Sequence, residues 1–370
     1  LSKVPNLWYK ENGKVMINKL VSYMDMNKLP NQRLDFWDEK HFLKPYDGAM
    51  YKSGFFEMSR GCMHKCHYCF NRYMQIGLSP SDVGKYRRNK SVDTIIREVK
   101  ELHKKNNFKL ILFTDDNFLA RSYPEMEEFY ERWSKEIKIP YWFNTCIETL
   151  NEQNLPGLKK SRCVGIGIGM ETGSEWIRRN VLLKGKMTNE MYLEGFKLMV
   201  KHGIRSTCNT MVGFPGEYEE DVFDTIKLVK KIRSIDQDLT SCNIAFVAPY
   251  SGTVIHNICL ELGLMNTDTK PGYRGLCKNI GFRKEPVITN PCMSKEKTIE
   301  LHDNFSDYIN GKKDIPKKFL TTDPLRKYAQ GDPISEQIYE LYARYKNGPT
   351  NIDTNNISSK NKLIQVEATA

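Results

Sequence analysis

From Gly54 to about Gly263 the chain alternates short apolar runs with amphipathic segments, a rhythm that restricts it to a sheet built from strand–helix repeats. Six runs have the length and composition of buried strands: Gly54–Met58, Lys109–Phe113, Tyr141–Thr145, Val164–Met170, Ser206–Val212 and Cys242–Val247. Between them the spacing turns helical. Ser91 caps a segment with Val92, Ile95, Ile96, Val99 and Leu102 on one face. Ser122, with Pro124 in the first turn, starts another from about Met126 to Trp133. Thr188 opens a third, and Gly203 stands where a left-handed residue should close it. Tyr218–Arg233 and Thr253–Gly263 complete the helical set. Six units are too few for a closed eight-fold barrel. An open βα barrel and a doubly wound sheet both fit, and both put ligands at the carboxyl ends of the strands.

The flanks read differently. Residues 1–50 are polar, with a hairpin at Leu7–Met16, where Asn12-Gly13 between apolar-aromatic arms suits a type I′ turn. Asn27–Tyr46 reads as a loop-like connector. The repeats fill 51–265. Residues 266–346 form a loop and then a mainly helical extension, with helices expected over Thr298–Ile309 and Ser335–Tyr345. Residues 347–370, rich in Asn, Ser and Thr, read as a flexible tail.

At the carboxyl end of the first strand lies Ser59-Arg60-Gly61-Cys62-Met63-His64-Lys65-Cys66-His67-Tyr68-Cys69-Phe70, with three cysteines in a CxxxCxxC spacing. Thiolates this close in sequence hold iron–sulfur clusters. The next cysteine is Cys146, so a cubane held here keeps one iron free of protein ligands. A zinc site completed by His64 or His67 is the alternative, strained because both histidines stand between cysteines. No apolar run is long enough to span a membrane and no secretory pattern precedes the chain, so its ten cysteines point to a reducing cytoplasm. Cys146, Cys163, Cys208, Cys242 and Cys259 read as core residues; Cys277 and Cys292 are too isolated for a second cluster. The net charge of +11, including the run Lys85–Lys90, reads as solvated lysine-rich surface rather than a nucleic-acid footprint.

The cysteine spacing, with Tyr68 just before the last cysteine, resembles the signature of the radical S-adenosylmethionine (SAM) superfamily. The resemblance implies an α/β fold, a partial (βα)6 open TIM-like barrel. It makes Cys62, Cys66 and Cys69 the ligands of a 4Fe-4S cluster whose free iron chelates SAM, and puts Tyr68 beside the adenine. Reductive cleavage of SAM to a 5′-deoxyadenosyl radical is the implied chemistry. Other strand ends extend the likeness. Phe113-Thr114-Asp115-Asp116-Asn117-Phe118 resembles the family's second-strand motif, which implies that Asp115 and Asp116 hold the SAM amino group or shape its pocket. Gly165–Glu175 resembles the fourth-strand motif, implying that Glu171 accepts from the ribose or amino group and Ser174 meets the carboxylate. His202–Glu217 resembles the fifth, with Asn209 toward adenosine, while Glu217 reads as fixing the turn or capping the next helix; Phe246–Thr253 resembles the sixth, with the backbone of Ala248 at adenine.

The motifs resemble most the cobalamin-dependent members of the superfamily, and residues 1–50 resemble the connector that follows their cobalamin domain. That domain is missing from this sequence, so the expectation is a fragment of a longer protein, with cobalamin as a further candidate cofactor. The expected reaction is hydrogen abstraction followed by methyl transfer to a small-molecule, natural-product-like substrate, with flavodoxin or ferredoxin as electron donor. Alternatives are a cobalamin-free radical SAM oxidoreductase or cyclase and, from another class, a zinc-stapled nucleic-acid-binding protein. A tRNA methylthiotransferase fits less well, lacking the expected flanking domains.

Overall fold

A computed structural model describes residues 1–76, 83–265, 285–321 and 333–347. Strands β1 (Trp8–Glu11) and β2 (Lys14–Ile17) form the expected antiparallel hairpin, turned at Asn12 and Gly13, both with positive φ. A second hairpin joins β3 (Leu43–Tyr46) to β4 (Ala49–Phe56) through Asp47 and Gly48, again both at positive φ. This corrects the loop reading of Asn27–Tyr46, whose last four residues are an edge strand.

There follow β5 (Ser59–Arg60), α1 (Phe70–Ile76), β6 (Arg88–Asn89), α2 (Val92–Asn106), β7 (Leu110–Phe113), α3 (Tyr123–Arg132) and β8 (Tyr141–Thr145). Next come α4 (Leu155–Lys160), β9 (Cys163–Glu171), α5 (Glu175–Asn180), α6 (Asn189–Lys201), β10 (Arg205–Val212), α7 (Glu219–Arg233), β11 (Thr240–Phe246) and α8 (Val254–Glu261). The sheet runs β11-β10-β9-β8-β7-β4-β3, and every pairing from β4 to β11 is parallel. Each step goes to the next of these strands in chain order. The reversal of order that defines a doubly wound sheet is absent, and the result is a curled, open half-barrel of six parallel strands with β3 added antiparallel at one edge.

The capping residues read from sequence start their helices. Ser91 Oγ accepts from Thr94 N, Thr188 Oγ1 from Met191 N, and Ser122 forms a capping box with Glu125. The outward sheet face packs on these helices through aromatic side chains: Phe118 stacks on Phe143 at 4.2 Å, and Phe113, Phe129, Trp133 and Tyr141 close around them. The concave face is the reverse. Trp142 and Asn144 on β8, Gly165, Gly167 and Gly169 on β9, Thr207 and Asn209 on β10, and Ser241 and Asn243 on β11 follow one another at the alternate positions of a strand.

The expected helix over Thr298–Ile309 is two, α9 (Lys295–Asp303) and α10 (Phe305–Ile309). Asn304 separates them, its side chain turned back to donate to Glu300 O at 2.7 Å. α11 (Pro333–Asn347) packs Ile338, Leu341 and Tyr342 against Phe214, Val254 and Ile255. Of the expected tail, 347–370, Asn347 ends α11; its remainder and Cys277 lie outside the described residues. No helix among the described residues is long and apolar enough to cross a membrane.

Candidate cluster and cofactor site

The loop 61–69 lies at the carboxyl end of β4 and is held from several sides. Asp116, just after β7, accepts from Gly61 N at 2.9 Å and from Asn71 Nδ2 at 2.8 Å, and Tyr86 Oη donates to Asn71 Oδ1. Gly61 takes φ 90° with the Tyr86 ring 3.0 Å from where a Cβ would stand, so only glycine fits. On the other side Arg72 donates to Lys65 O at 3.1 Å and to Tyr345 O at 2.6 Å, tying the loop to α11.

Cys62, Cys66 and Cys69 share the wall of one cavity of about 260 Å³ with Tyr68, Asn71, Asp116, Cys146, Glu171, Lys184 and Asn209. None of the three is in a disulfide. His64 N donates to Cys62 Sγ at 3.5 Å, and Asn71 Nδ2 to Cys69 Sγ at 3.5 Å. The neighbouring Cys146 thiol is the largest influence on Cys62 and holds its thiol down to about 7, whereas burial pushes Cys66 up to about 12.

The geometry speaks against a single zinc ion. No group of three or more His, Cys, Asp or Glu among the described residues is arranged to hold one metal ion. His67 turns away: its Nδ1 meets Val181 O at 2.9 Å, its ring stacks on Tyr342, and burial holds its pKa down to about 3. His64 Nε2 lies 2.9 Å from Glu148 Oε1. Three uncrosslinked thiols around a shared cavity, two of them already receiving N–H donors, fit a polynuclear cluster better.

Opposite the thiols is a charged network. Glu171 ends β9 with φ 69°, an uncommon and costly conformation for a residue with a side chain, where β9 skips a residue: Gly169 pairs with Asn209, and Glu171 with Thr210. The irregularity carries Glu171 to the cavity, where Oε1 accepts from Tyr68 Oη at 2.8 Å and lies 3.3 Å from Lys184 Nζ. Lys184 also donates to Gly169 O at 2.8 Å; burial opposes its charge, yet its pKa is raised by the ionisable groups around it, Tyr192 first and then Glu171. Buried Arg178 fixes the loop that presents Lys184 by donating to Met187 O at 2.8 Å, Thr172 O at 2.6 Å and Asn189 Oδ1 at 2.7 Å.

Of the residues singled out in the sequence, the structure brings together Cys62, Cys66, Cys69, Tyr68, Asp116, Glu171 and Asn209. It places Asp115 elsewhere: its carboxylate points back under the loop, accepting from Met58 N at 3.0 Å and Ser59 Oγ at 2.5 Å, and burial pushes its pKa up to about 6. Ser174 caps α5, its Oγ accepting from Ile177 N, and lines an outer cleft between helices. Ala248 is half-buried after β11 and is not on the cavity wall. The sequence reading missed Lys184 and filed Cys146 with the core, yet both line the cavity. Cys146 stands directly after a parallel strand, which is the signal that singled out Asp116.

Residues 56–229 match the family described as the radical SAM superfamily. An uncharacterized methyltransferase of Pyrococcus horikoshii is 27% identical over 271 residues, covering 72% of this chain and 54% of that protein. The tRNA-2-methylthio-N(6)-dimethylallyladenosine synthase of Clostridioides difficile is 24% identical over 221 residues, covering 53% of this chain and 39% of that one. The chain thus spans about half the length, or less, of these curated relatives. Among solved structures, the radical S-adenosylmethionine methyltransferase TsrM from Kitasatospora setae, with cobalamin and a 4Fe-4S cluster bound, superposes with a TM-score of 0.52 at 15% identity. That likeness covers 71% of this chain and 53% of TsrM, and is one of fold.

Proposed function

Residues 56–229 belong to the radical SAM superfamily, and on that premise we propose that this chain cleaves SAM reductively and uses the product for cobalamin-dependent methyl transfer to a small molecule. The observation that carries the reading is the single cavity at the carboxyl ends of the parallel strands. It sets three cluster thiols on one wall and the Tyr68–Glu171–Lys184 network on another. When bound and reduced, a 4Fe-4S cluster supplies the electron that splits the SAM sulfonium into methionine and a 5′-deoxyadenosyl radical. The protein's part is to hold and orient. Cys62, Cys66 and Cys69 hold the cluster, and Lys184 offers a buried positive charge for the SAM carboxylate. Glu171 accepts from the ammonium or ribose, and through its hydrogen bond fixes the ring of Tyr68 for the adenine. Asn209, braced by Asn243 Nδ2 at 2.8 Å, presents a carboxamide from the barrel wall. Asp116 serves by positioning the loop, and Asp115 by anchoring β4 to β5. Ser174, whose hydroxyl caps α5, and Ala248, off the cavity wall, are given no contact with SAM in this reading.

On the other side of the cysteine loop, Met63, Lys65, Lys85 and Arg87 line a basic cleft of about 560 Å³ that also reaches Cys62. This suits an acidic one-electron donor of the flavodoxin or ferredoxin type. Methyl transfer is favoured by the methyltransferase names of the Pyrococcus relative and of TsrM. The test is product accounting in anaerobic reactions with and without added cobalamin. S-adenosylhomocysteine alongside 5′-deoxyadenosine, only when cobalamin is supplied, supports methyl transfer. With cobalamin supplied in a protein that carries the upstream region, 5′-deoxyadenosine as the sole nucleoside product refutes it in favour of a cobalamin-free oxidoreductase or cyclase.

A further inference from the structure

The basic run Lys85–Lys90 reads from the sequence as solvated surface, yet Lys85 is its one exposed residue. Lys90 is buried and paired with Glu98 at 2.6 Å, and Arg88 lies over the ring of Tyr23 at 4.3 Å. Arg87 and Asn89, on either side of Arg88, instead line a cavity of about 370 Å³ beside Met63 of the cysteine loop, together with Arg121, Tyr123 and Asn151. Three atoms of these residues are buried without a hydrogen-bond partner among the described residues: Arg87 Nη2, Asn89 Oδ1 and Arg121 Nε. The Arg87 guanidinium forms no hydrogen bond or ion pair with another described residue. Arg121, its side chain 1% exposed, is fixed by donating to Met58 O at 3.3 Å, Lys90 O at 2.8 Å and Glu125 Oε1 at 3.1 Å. Glu125 also lines the cavity, but its second oxygen is engaged by Ser122 N and Oγ. Burial lowers the pKa of Arg121, and the like charge of Arg87 adds to the effect.

Buried polar atoms seldom go unpaired, and two guanidiniums with spare N–H groups on one cavity match an oxyanion. A phosphate ester brings close to two negative charges and three acceptor oxygens, more of each than a carboxylate. We propose that this cavity binds a phosphate group, free or as the ester of a small molecule, between Arg87 and Arg121, with the Asn89 carboxamide bonded to the same ligand. Arg87 supplies the uncommitted fork of donors, and Arg121 supplies Nε and a fixed positive charge. The cavity is roomier than an oxyanion alone requires, which leaves space for an organic part beside Tyr123 and Asn151. The site is separate from the SAM cavity, whose wall includes none of Arg87, Asn89 and Arg121, and SAM itself carries no phosphate. It does not rest on the cluster reading.

The experiment is calorimetry on the full chain after anaerobic reconstitution and removal of free iron. Inorganic phosphate, glycerol 3-phosphate and acetate are titrated at constant ionic strength into the parent, Arg87→Met and Lys85→Met; the titration reads binding whether or not a cluster assembles. Arg87→Met breaks no hydrogen bond with a described residue, so the fold should stand, and Lys85 lines the adjoining basic cleft but not this cavity. The expected result is one saturable site for both phosphates, weakened tenfold or more in Arg87→Met and unchanged in Lys85→Met, with acetate at least tenfold weaker in the parent. Within that result, a tighter ester identifies an organic phosphate and a tighter inorganic ion the free anion. No saturable binding means that the cavity holds water alone and overturns the proposal. Equal affinity in the parent and Arg87→Met overturns it as well. Equal losses in both variants reduce the site to diffuse surface charge, and acetate bound as tightly as phosphate makes it a carboxylate site; either result likewise overturns it.

Discussion

Glu217 offers the sharpest thermodynamic test of how the strand-end turns are built. It follows β10 in the turn Gly213-Phe214-Pro215-Gly216, fully buried, with one carboxyl oxygen accepting from Gly213 N at 2.6 Å and Phe214 N at 3.3 Å. The other oxygen, Oε1, has no partner among the described residues. Burial is the largest influence on the group and Asp221 adds negative charge nearby, so its pKa rises from 4.5 to about 8 despite the two backbone donors. The folded state therefore keeps a proton that the unfolded chain gives up. The stabilisation is fully present below about pH 4.5, is lost progressively as the pH rises, and is gone above about pH 8. At about 1.4 kcal/mol per pH unit the whole window is worth at most about 5 kcal/mol. Glu217→Gln keeps an acceptor for the turn and carries no charge. The prediction is that urea unfolding between pH 5 and 8 shows the variant gaining on the parent as the pH rises, with the two converging at the acidic end. A difference that does not change with pH would refute the buried, protonated Glu217.

Three further outcomes follow from named contacts. Gly173→Ala places a Cβ 2.5 Å from Asp224 O and 2.6 Å from Thr225 Cα, the backbone of α7, which cannot yield cheaply; a loss of about 1–3 kcal/mol in unfolding free energy is expected, and a neutral result would contradict the packing. Arg72→Leu removes donors to Lys65 O and Tyr345 O, about 1.5–3 kcal/mol each, so hydrogen exchange should accelerate over α11 while the sheet stays protected; unchanged exchange there would show that α11 does not brace the cysteine loop. Lys184→Met removes the buried cation of the cavity, and SAM binding to the reconstituted protein should weaken tenfold or more by calorimetry, with unaltered affinity assigning Lys184 to the scaffold instead.

The barrel was legible in the sequence because its strands are buried on the outer face by continuous helices, which imposes two clear periodicities. Gly54, Lys109, Tyr141, Val164, Ser206 and Cys242 all start runs within a few residues of true strands. What escaped was local turn chemistry and long-range assembly. β3 hides in a polar stretch, and only Asp47-Gly48, with its positive φ values, betrays the hairpin. Asp115 and Asp116 are adjacent carboxylates of one motif, yet the turn after β7 sends them to opposite sides, one beneath the loop and one to the cavity. Lys184 sits in a loop without any periodic signal, and the contacts that bring it to the site, made by nearby Arg178 and Glu171, are between side chains and backbone that no pattern marks. Cys146 looks like a core thiol because its neighbours Trp142, Phe143 and Ile147 are apolar; only its place at a strand's carboxyl end distinguishes it.

The most direct test of the account is whether this chain cleaves SAM. The protein is reconstituted anaerobically with iron and sulfide, reduced with dithionite and given SAM, and 5′-deoxyadenosine is quantified beside a Cys66→Ala variant. The account predicts a brown, oxygen-sensitive parent that forms 5′-deoxyadenosine and a variant that forms none. A parent with a full, reducible cluster that yields no 5′-deoxyadenosine, or a variant that yields as much as the parent, would contradict it.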